Sequence, residues 1–340
     1  MSAQTVFVSG ANGYIAQHTV VQLLKKGYNV VGQVRSAAKG DALAKDLKNS
    51  HFSYEVVEVL EQEGAFDEAL TKHPEVTVFL HTASPATFSA EDNERDVIIP
   101  AVNGTKNVLK SIKKVAPQIK KVVVTSSAVA AGSLAQLEDP KFVGGEDTWN
   151  PITYEEAVKG DPVAAYQGSK KFAELAAWDF VKAEKPNFKL TTVLPVYVFG
   201  PQAFRSGLKS LNLTAQVIID VFKLKKNDSI PALESLFADV RDVAYSHIAA
   251  FENESAEGKR LLVVSGRFNY QNVVDIVRKN FVYIPGQLPV GTPASKDIFD
   301  HYKKLNDSNA REVVGIEYIP FEKTIIDQIK QYLVEIYRLL

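Results

Sequence analysis

The chain has no cysteine, which excludes disulfide bonds, cysteine-ligated zinc and cysteine nucleophiles. A reducing compartment suits such a chain, and we expect a cytoplasmic location. No apolar run approaches the roughly 18 residues of a membrane span, and the start of the sequence lacks the charged, apolar and small-residue regions of a signal peptide. Charge of one sign is not in excess, because 39 Lys and Arg residues balance 40 Asp and Glu residues. We therefore expect neither a membrane nor a nucleic acid among its partners.

Histidine is also scarce. The six histidines are scattered without the spacing of a metal-ligand cluster, so no metal is predicted. Otherwise the composition is that of an ordinary globular protein, with 46% apolar and 23% charged residues. A length of 340 residues allows about two compact lobes.

Short runs rich in β-branched residues alternate with longer segments of helical spacing. The strand-like runs are Thr5–Ser9, Asn29–Val34, Tyr54–Leu60, Val76–His81, Lys121–Ser126, Leu190–Pro195 and Arg260–Ser265. The helix-like segments are Tyr14–Lys26, Gly64–Lys72, Asn103–Lys114 and Ser169–Ala183. Apolar strands separated by helices predict an α/β fold with a Rossmann-like, doubly wound parallel sheet that is covered on both faces.

The alternation weakens after Pro195, where Gly, Pro and Ser interrupt Phe199–Gly207 and Ile284–Ser295. We predict that residues 1–195 mainly form a nucleotide-binding domain and that residues 196–340 mainly form a smaller C-terminal substrate lobe. A segment near residues 240–265 is expected to return to the main sheet. The amphipathic stretch Phe321–Leu340 predicts a final helix packed on the smaller lobe.

A glycine-rich turn follows the first predicted strand, with Gly10, Gly13 and Ala16 in the spacing G-x-x-G-x-x-A. Gly10 allows a tight turn, Gly13 allows close approach of a pyrophosphate, and Ala16 allows close helix–strand packing. The helix that follows offers free N–H groups to the phosphates. The alternative is a tight turn without a ligand, but its position at the first strand–helix junction favours a dinucleotide.

The end of the second predicted strand indicates which dinucleotide is bound. An acidic residue at this place would bind the ribose hydroxyls of NAD, but the sequence Gly32-Gln33-Val34-Arg35-Ser36 contains none. Arg35 can pair with a 2′-phosphate and stack on adenine, and Lys39 can add a second positive charge. The sequence therefore predicts NADPH/NADP+ as the cofactor.

Tyr166 and Lys170 have the Y-x-x-x-K spacing, which places the phenol and the ammonium on one face of a helix. The ammonium and the positive ring of an oxidised nicotinamide are expected to lower the tyrosine pKa, so that Tyr166 exchanges a proton with a substrate oxygen. Many helices carry this spacing by chance. Ser127, at the carboxyl end of a buried strand, adds weight because ligands of open α/β sheets bind there. A strand end that satisfies its own backbone is the alternative for Ser127.

Together, Gly10–Ala16, Ser127, Tyr166 and Lys170 resemble the extended branch of the short-chain dehydrogenase/reductase superfamily. Four further segments resemble its dihydroflavonol-reductase-like group and, within that group, the yeast NADPH-dependent methylglyoxal and aldehyde reductases. These segments are Leu80–Pro85, Pro100–Thr105, Pro195–Pro201 and Asp239–Ala244. The resemblance covers essentially the whole chain and implies two lobes with a catalytic cleft between them.

The resemblance also implies a role for individual residues. Tyr166 would be the proton donor, Lys170 would hold the nicotinamide ribose, and Ser127 would orient the carbonyl. Asn103 would support a water or the lysine. The implied cofactor-binding residues, besides Tyr166 and Lys170, are Gly10, Ala11, Asn12, Gly13, Tyr14, Ile15, Arg35, Lys39, Val59, Leu60, Val198 and Thr214. The implied substrate pocket consists of Ala86, Phe88, Ala128, Gly132 and Tyr197.

Two departures from the group bear on recognition. Val59-Leu60 replaces an Asp-hydrophobic pair that meets the adenine in relatives, so only backbone contacts are expected there. Ala86, Ala128 and Gly132 stand where close relatives tend to place aromatics. A roomier pocket is therefore expected, with activity on bulky ketones as well as small dicarbonyls such as methylglyoxal.

The resemblance implies reduction of aldehydes and ketones to alcohols with NADPH, with Tyr166 as proton donor. Two alternatives are a nucleotide-sugar epimerase or dehydratase, and a non-catalytic NADP-sensing regulator. Arg35 argues against the first, which usually prefers NAD. The complete set of Ser127, Tyr166 and Lys170 argues against the second. Related enzymes include monomers and dimers, so a monomer or homodimer is expected.

Overall fold

The computed structural model describes residues 4–83, 90–139, 141–281, 287–292 and 305–339. Two predicted pocket residues, Ala86 and Phe88, lie outside the described residues. None of the helices within the described ranges combines the length and apolar character needed to cross a membrane.

The strands form a large sheet and a small one. They are β1 (Thr5–Ser9), β2 (Asn29–Val34), β3 (Phe52–Val56), β4 (Val76–His81), β5 (Lys121–Thr125), β6 (Lys189–Pro195), β7 (Tyr197–Phe199), β8 (Glu234–Asp239), β9 (Arg260–Val263) and β10 (Gly266–Asn269). The large sheet has seven strands in the order β3-β2-β1-β4-β5-β6-β9, and all its pairings are parallel. The small sheet has the order β10-β8-β7.

Helices cover both faces of the large sheet and also pack on the small sheet. They are α1 (Tyr14–Lys25), α2 (Ala37–Leu47), α3 (Asp67–Lys72), α4 (Ile99–Val115), α5 (Leu134–Glu138), α6 (Tyr154–Lys159), α7 (Pro162–Glu184), α8 (Leu213–Ile219), α9 (Val240–Glu252), α10 (Tyr270–Asn280), α11 (Ser308–Val314) and α12 (Phe321–Leu339). Alternate residues of β1 point to opposite faces. Val6 and Val8 pack with α1 and α9, whereas Phe7 packs with α4. The predicted doubly wound α/β fold is confirmed.

The sheet order reverses between β1 and β4, so the carboxyl ends of these two strands open a crevice in which ligands of such sheets bind. Part of the chain beyond Pro195 belongs to this large sheet. The strand β9 pairs with β6, α9 contacts β5 and β6, and α11 contacts α9 and β9. The small sheet is buried under α10 and α12, and Phe321, Ile325 and Ile329 of α12 enter its core.

Several predicted boundaries were wrong, and the start of α7 matters for the site. The strand β3 ends at Val56 rather than Leu60, because its pairing partner β2 ends at Val34. The helix α7 begins at Pro162 rather than Ser169, because Asp161 caps it by accepting a 2.8 Å hydrogen bond from the N–H of Ala164. Proline at the first helical position and an aspartate cap favour such a start. The earlier start places Tyr166 inside the helix.

Candidate active site

The glycine turn joins β1 to α1 in a conformation that only glycine adopts without strain. Gly10 has φ of +63°, and a Cβ atom there would lie 2.9 Å from the Cα of Ala83. The N–H of Gly13 donates to the Gly10 carbonyl at 2.8 Å. The helix α1 then starts without a side-chain cap. Its first N–H groups are therefore available to an anion, as a pyrophosphate site requires.

Gln33 of β2 supports this turn, and the sequence reasoning missed it. Its side chain is fully buried in β2. It accepts a 2.9 Å hydrogen bond from the N–H of Gly10 and donates one of 2.8 Å to the Val57 carbonyl. A glutamine inside an apolar strand was the available signal, because a buried amide needs partners. Gln33 fixes the turn against β2.

The residues predicted to hold the adenosine end lie along the carboxyl edge of β2 and β3. Arg35 and Lys39 are exposed, at the end of β2 and in the first turn of α2. Val59 is also exposed, at 46%, whereas Leu60 packs against the core under α4. The exposed guanidinium of Arg35 can pair with a 2′-phosphate, since no acidic residue stands at this end of β2.

A cleft of about 650 Å³ lies where the glycine turn, the end of β5, α7 and the small sheet meet. The residues lining it from the large sheet and its helices are Gly13, Tyr14, Ile15, Ala16, Thr82, Thr125, Ser126, Ser127, Ala128, Val129, Leu134, Leu137, Val163, Tyr166 and Lys170. Those lining it from the chain after β6 and from the small sheet include Val196, Tyr197, Val198, Asn212, Leu213, Thr214, Ser235 and Leu236. The structure thus brings the predicted cofactor turn and the predicted catalytic residues into one cavity.

Ser127, Tyr166 and Lys170 come together from β5 and α7. Ser127 caps a short 3₁₀ turn at Ala128–Ala130, and its side chain forms a hydrogen bond with Tyr166. The Nζ atom of Lys170 lies 5.8 Å from the centre of the Tyr166 ring. The serine hydroxyl and the phenol can therefore address the same substrate oxygen.

Burial has the largest effect on both titrating groups. It raises the pKa of Tyr166, and the hydrogen bond with Ser127 opposes this shift. It lowers the pKa of Lys170 to about 8. The predicted fall of the tyrosine pKa is therefore wrong for the protein by itself. Burial disfavours the phenolate more strongly than the hydrogen bond with Ser127 stabilises it. The contribution of a charged nicotinamide ring stays a prediction.

Thr214 acts through the backbone of β7. Its hydroxyl donates a 2.6 Å hydrogen bond to the Val198 carbonyl and accepts one of 2.8 Å from Asn212. Thr214 therefore holds Val198, which the family resemblance implies to be a cofactor-binding residue. Tyr14 makes a similar connection, since its hydroxyl donates to the Gly200 carbonyl at 2.7 Å. This bond ties α1 to the segment after β7.

Among the described residues that were predicted to be catalytic or to form the substrate pocket, two do not reach the cleft. Asn103 lies on the exposed side of α4, because helical spacing turns Gly104, Thr105 and Val108 toward the interior instead. The structure therefore does not support its predicted role beside Lys170. Gly132 is buried under the ring of Phe142, and a Cβ there would lie 3.1 Å from that ring. Gly132 thus adds no room to the pocket.

Comparison with known proteins identifies the class of the chain. Residues 6–264 match the NAD-dependent epimerase/dehydratase family. The chain belongs to this family, whose members are extended short-chain dehydrogenases/reductases. The resemblance inferred from the motifs is confirmed.

Individual relatives are similar over the full length. The NADPH-dependent methylglyoxal reductase of Saccharomyces cerevisiae is 42% identical over 336 residues, which cover 97% of this chain and 98% of that protein. The crystal structure of a yeast methylglyoxal/isovaleraldehyde reductase complexed with NADPH has a TM-score of 0.93 at 42% identity and covers 98% of this chain and 99% of its own. A reductase engineered for asymmetric catalysis is 55% identical, with a TM-score of 0.94 and coverage of 97% and 99%.

Proposed function

We propose that this protein is an NADPH-dependent reductase that converts aldehydes and ketones, including methylglyoxal and bulkier ketones, to alcohols. One observation carries the proposal. The uncapped start of α1 and the group of Ser127, Tyr166 and Lys170 line the same cleft. The relatives named for NADPH-dependent reduction, and the NADPH complex of the yeast enzyme, support both the reaction and the cofactor.

The residues present fit NADPH. The glycine turn and the α1 N–H groups would hold the pyrophosphate, and Arg35 and Lys39 would hold the 2′-phosphate. Lys170 would hold the nicotinamide ribose as an ammonium, because its pKa of about 8 leaves it mostly protonated at neutral pH. Bound NADPH supplies the hydride.

Ser127 and Tyr166 act on the substrate oxygen. The Ser127 hydroxyl donates a hydrogen bond that polarises the carbonyl, and Tyr166 transfers its phenol proton to the oxygen as negative charge develops. Burial supports this role, because a raised pKa keeps the phenol protonated at neutral pH. Tyr166 is therefore an acid in the direction of reduction.

The cleft favours uncharged carbonyl compounds. Its described lining is largely apolar, and Lys170 is the one cation within it. A nucleotide-sugar diphosphate would require more basic groups, so an epimerase or dehydratase is disfavoured. Steady turnover of free NADPH with simple carbonyl compounds distinguishes a reductase from those enzymes, which retain their cofactor.

The proton-donor role is tested by Tyr166→Phe, which removes the phenol and keeps the ring. We expect turnover to fall by on the order of 100- to 10,000-fold, while NADPH binding is retained. NADPH oxidation with methylglyoxal and with an aryl ketone measures turnover, and nicotinamide fluorescence measures binding. Full activity of the phenylalanine variant would remove the assignment.

Two further properties belong to the proposal. We infer that the protein works in the cytoplasm, since a chain without cysteine suits a reducing compartment, and cell fractionation tests this.

We also infer a monomer or a homodimer. An open cavity on the surface between α4 and α7 includes the apolar side chains of Val102, Phe172 and Leu175, which a second copy would cover. Sedimentation at several protein concentrations distinguishes the two states.

A further inference from the structure

A buried carboxylate lies next to the catalytic group without lining the cleft. Glu174 follows Lys170 by one turn of α7, and it is 1% exposed. Its oxygens accept five hydrogen bonds. The donors are the Ser126 hydroxyl at 2.6 Å, the Thr192 hydroxyl at 2.9 Å, the Trp178 indole at 3.2 Å, and Nε and Nη2 of Arg260 at 2.7 and 3.1 Å.

Arg260 forms an ion pair with Glu174, and further contacts hold it in place. Arg260 lies in β9 and is 8% exposed. Its Nη1 atom donates to the carbonyls of Glu146, at 3.1 Å, and Thr148, at 2.5 Å. Its guanidinium also stacks 3.9 Å from the ring centre of Trp149. Every polar contact described for the pair fixes it in one position.

Stability is a poor explanation for such a pair. Removing two charges from water costs several kcal/mol for each ion, and apolar replacements of buried ion pairs are often neutral or stabilising. Neither Glu174 nor Arg260 lines the cleft, so direct contact with ligand does not explain them. What a fully bonded buried pair does provide is fixed geometry.

Glu174 fixes the position of Ser126, the residue that precedes the catalytic Ser127. Ser126 is held by its hydroxyl, which donates to Glu174 on α7, and by its backbone N–H, which donates to the Val193 carbonyl of β6 at 2.8 Å. Ser127 is the next residue. The same helix that carries Glu174 carries Tyr166, two turns earlier.

We propose that Glu174 and Ser126 are positioning residues, which hold the Ser127 hydroxyl at the Tyr166 phenol by tying the end of β5 to α7. This proposal rests on the proposed reductase activity and adds a requirement to it. Neither residue gives or takes a proton. Loss of their hydrogen bond displaces Ser127 and leaves the cofactor site intact.

The test compares three single variants that change the contacts of one carboxylate. Ser126→Ala and Glu174→Gln alter the bond to the strand end. Thr192→Val removes another hydroxyl from the same carboxylate without touching Ser126, so it is the matched control. We expect Ser126→Ala and Glu174→Gln to lower kcat by on the order of tenfold, as a small misplacement of reacting groups does, with an unchanged KM for NADPH. Thr192→Val should keep the wild-type kcat.

A second measurement separates positioning from general loosening. In a Ser127→Ala background the hydroxyl to be positioned is gone, so Ser126→Ala should have no further effect on kcat. The pH dependence should change as well. Because the hydrogen bond with Ser127 lowers the pKa of Tyr166, the alkaline fall of kcat should move to higher pH in Ser126→Ala, as in Ser127→Ala.

Three results would overturn the proposal. They are a wild-type kcat in Ser126→Ala, an undiminished effect of Ser126→Ala in the Ser127→Ala background, and loss of NADPH binding by nicotinamide fluorescence, which would indicate a purely structural role. Failure of the proposed function looks different. In that case wild type and Thr192→Val would both bind NADPH and reduce none of the carbonyl compounds.

Discussion

Tyr166 and Lys170 share one cleft, yet burial moves their pKa values in opposite directions. Each shift favours the neutral form, because desolvation penalises whichever form is charged. The phenol therefore stays protonated as an acid. The amine loses its proton nearer to neutral pH than a solvated lysine does. A hydrogen bond with Ser127 is the named contact that opposes the tyrosine shift.

The lysine shift predicts how cofactor capture depends on pH. Lys170 is an ammonium below its pKa of about 8 and an amine above it, so kcat/KM for NADPH should fall as pH rises through that value. This ratio reports groups of the free enzyme. In Lys170→Met the ratio should be low at every pH, without that step.

The adjacent lysine is the control for this prediction. Lys171 donates to the Ile152 carbonyl at 2.7 Å and does not line the cleft. Lys171→Met should therefore keep the step that we expect for the wild type near the Lys170 pKa of about 8. The same step in Lys170→Met would assign it to another group.

Cofactor selectivity is a second prediction at this scale. Arg35→Ala should lower the preference for NADPH over NADH by on the order of 10- to 100-fold, the usual contribution of a charge-assisted hydrogen bond to phosphate. The measurement is kcat/KM for both cofactors. Lys45→Ala, at an exposed lysine in the last turn of α2, should leave the ratio unchanged. An unaltered ratio in Arg35→Ala would refute the assignment.

Among the elements, the turn from β1 to α1 and the helix α7 define the site. The turn places the first N–H groups of α1, which no side chain caps, at the cleft, and α7 carries Tyr166, Lys170 and Glu174 on successive turns. The start of α7 was predictable from Asp161 and Pro162, which are ordinary start signals. The end of β3 depended on the length of its partner β2, which local pattern does not reveal.

Substitution of two glycines with positive φ distinguishes the effect of backbone strain from the effect of a steric clash with a neighbouring residue. Gly10→Ala meets Ala83 at 2.9 Å, so we expect weaker NADPH binding together with a loss of about 1 to 3 kcal/mol in the free energy of unfolding. Gly27→Ala has φ of +87° and open space. It should lose about 1 to 2 kcal/mol and bind NADPH normally.

The measurements are NADPH titration by fluorescence and urea unfolding of both variants. Equal effects on binding would show that strain, rather than contact with Ala83, is what matters at Gly10. Normal NADPH binding in Gly10→Ala would contradict the assignment of the turn to the cofactor.

At the scale of the whole molecule, specific hydrogen bonds join α1 to the segment after β7, and the cores contain neutral histidines. His18 bonds the Pro201 carbonyl at 2.9 Å, beside the bond from Tyr14 to Gly200. His81 bonds Ser9 at 2.9 Å, and His247 bonds Thr125 at 2.7 Å. Burial lowers the pKa of both His81 and His247 to about 4, so the folded protein resists protonation there.

These two histidines predict acid sensitivity. Unfolding restores a pKa near 6.5, so the unfolded chain binds more protons between about pH 6.5 and 4 and stability falls as pH decreases across that range. Each histidine should contribute on the order of 3 kcal/mol. His247→Gln should make the decline shallower in urea unfolding at several pH values. His51→Gln, at an exposed histidine, should leave the slope unchanged, and equal slopes in all three proteins would refute the prediction.

The sequence alone determined the α/β class, the glycine turn, the cofactor preference and the pairing of Tyr166 with Lys170. These features follow from patterns within a few residues of chain, namely strand and helix periods, the need for glycine in a tight turn, and the four-residue spacing of one helix face. The family likeness added the roles of individual residues, such as Ser127 as the group that orients the carbonyl.

Only the tertiary structure decided how these residues behave. The pKa directions of Tyr166 and Lys170 depend on how much water the folded chain removes. The exposure of Asn103 and the filling of space at Gly132 depend on which neighbours pack there. The proposed role of Glu174 depends on the fold, which brings Ser126 and Arg260 to it from strands that are distant in sequence. Local sequence pattern does not reveal solvation and packing of this kind.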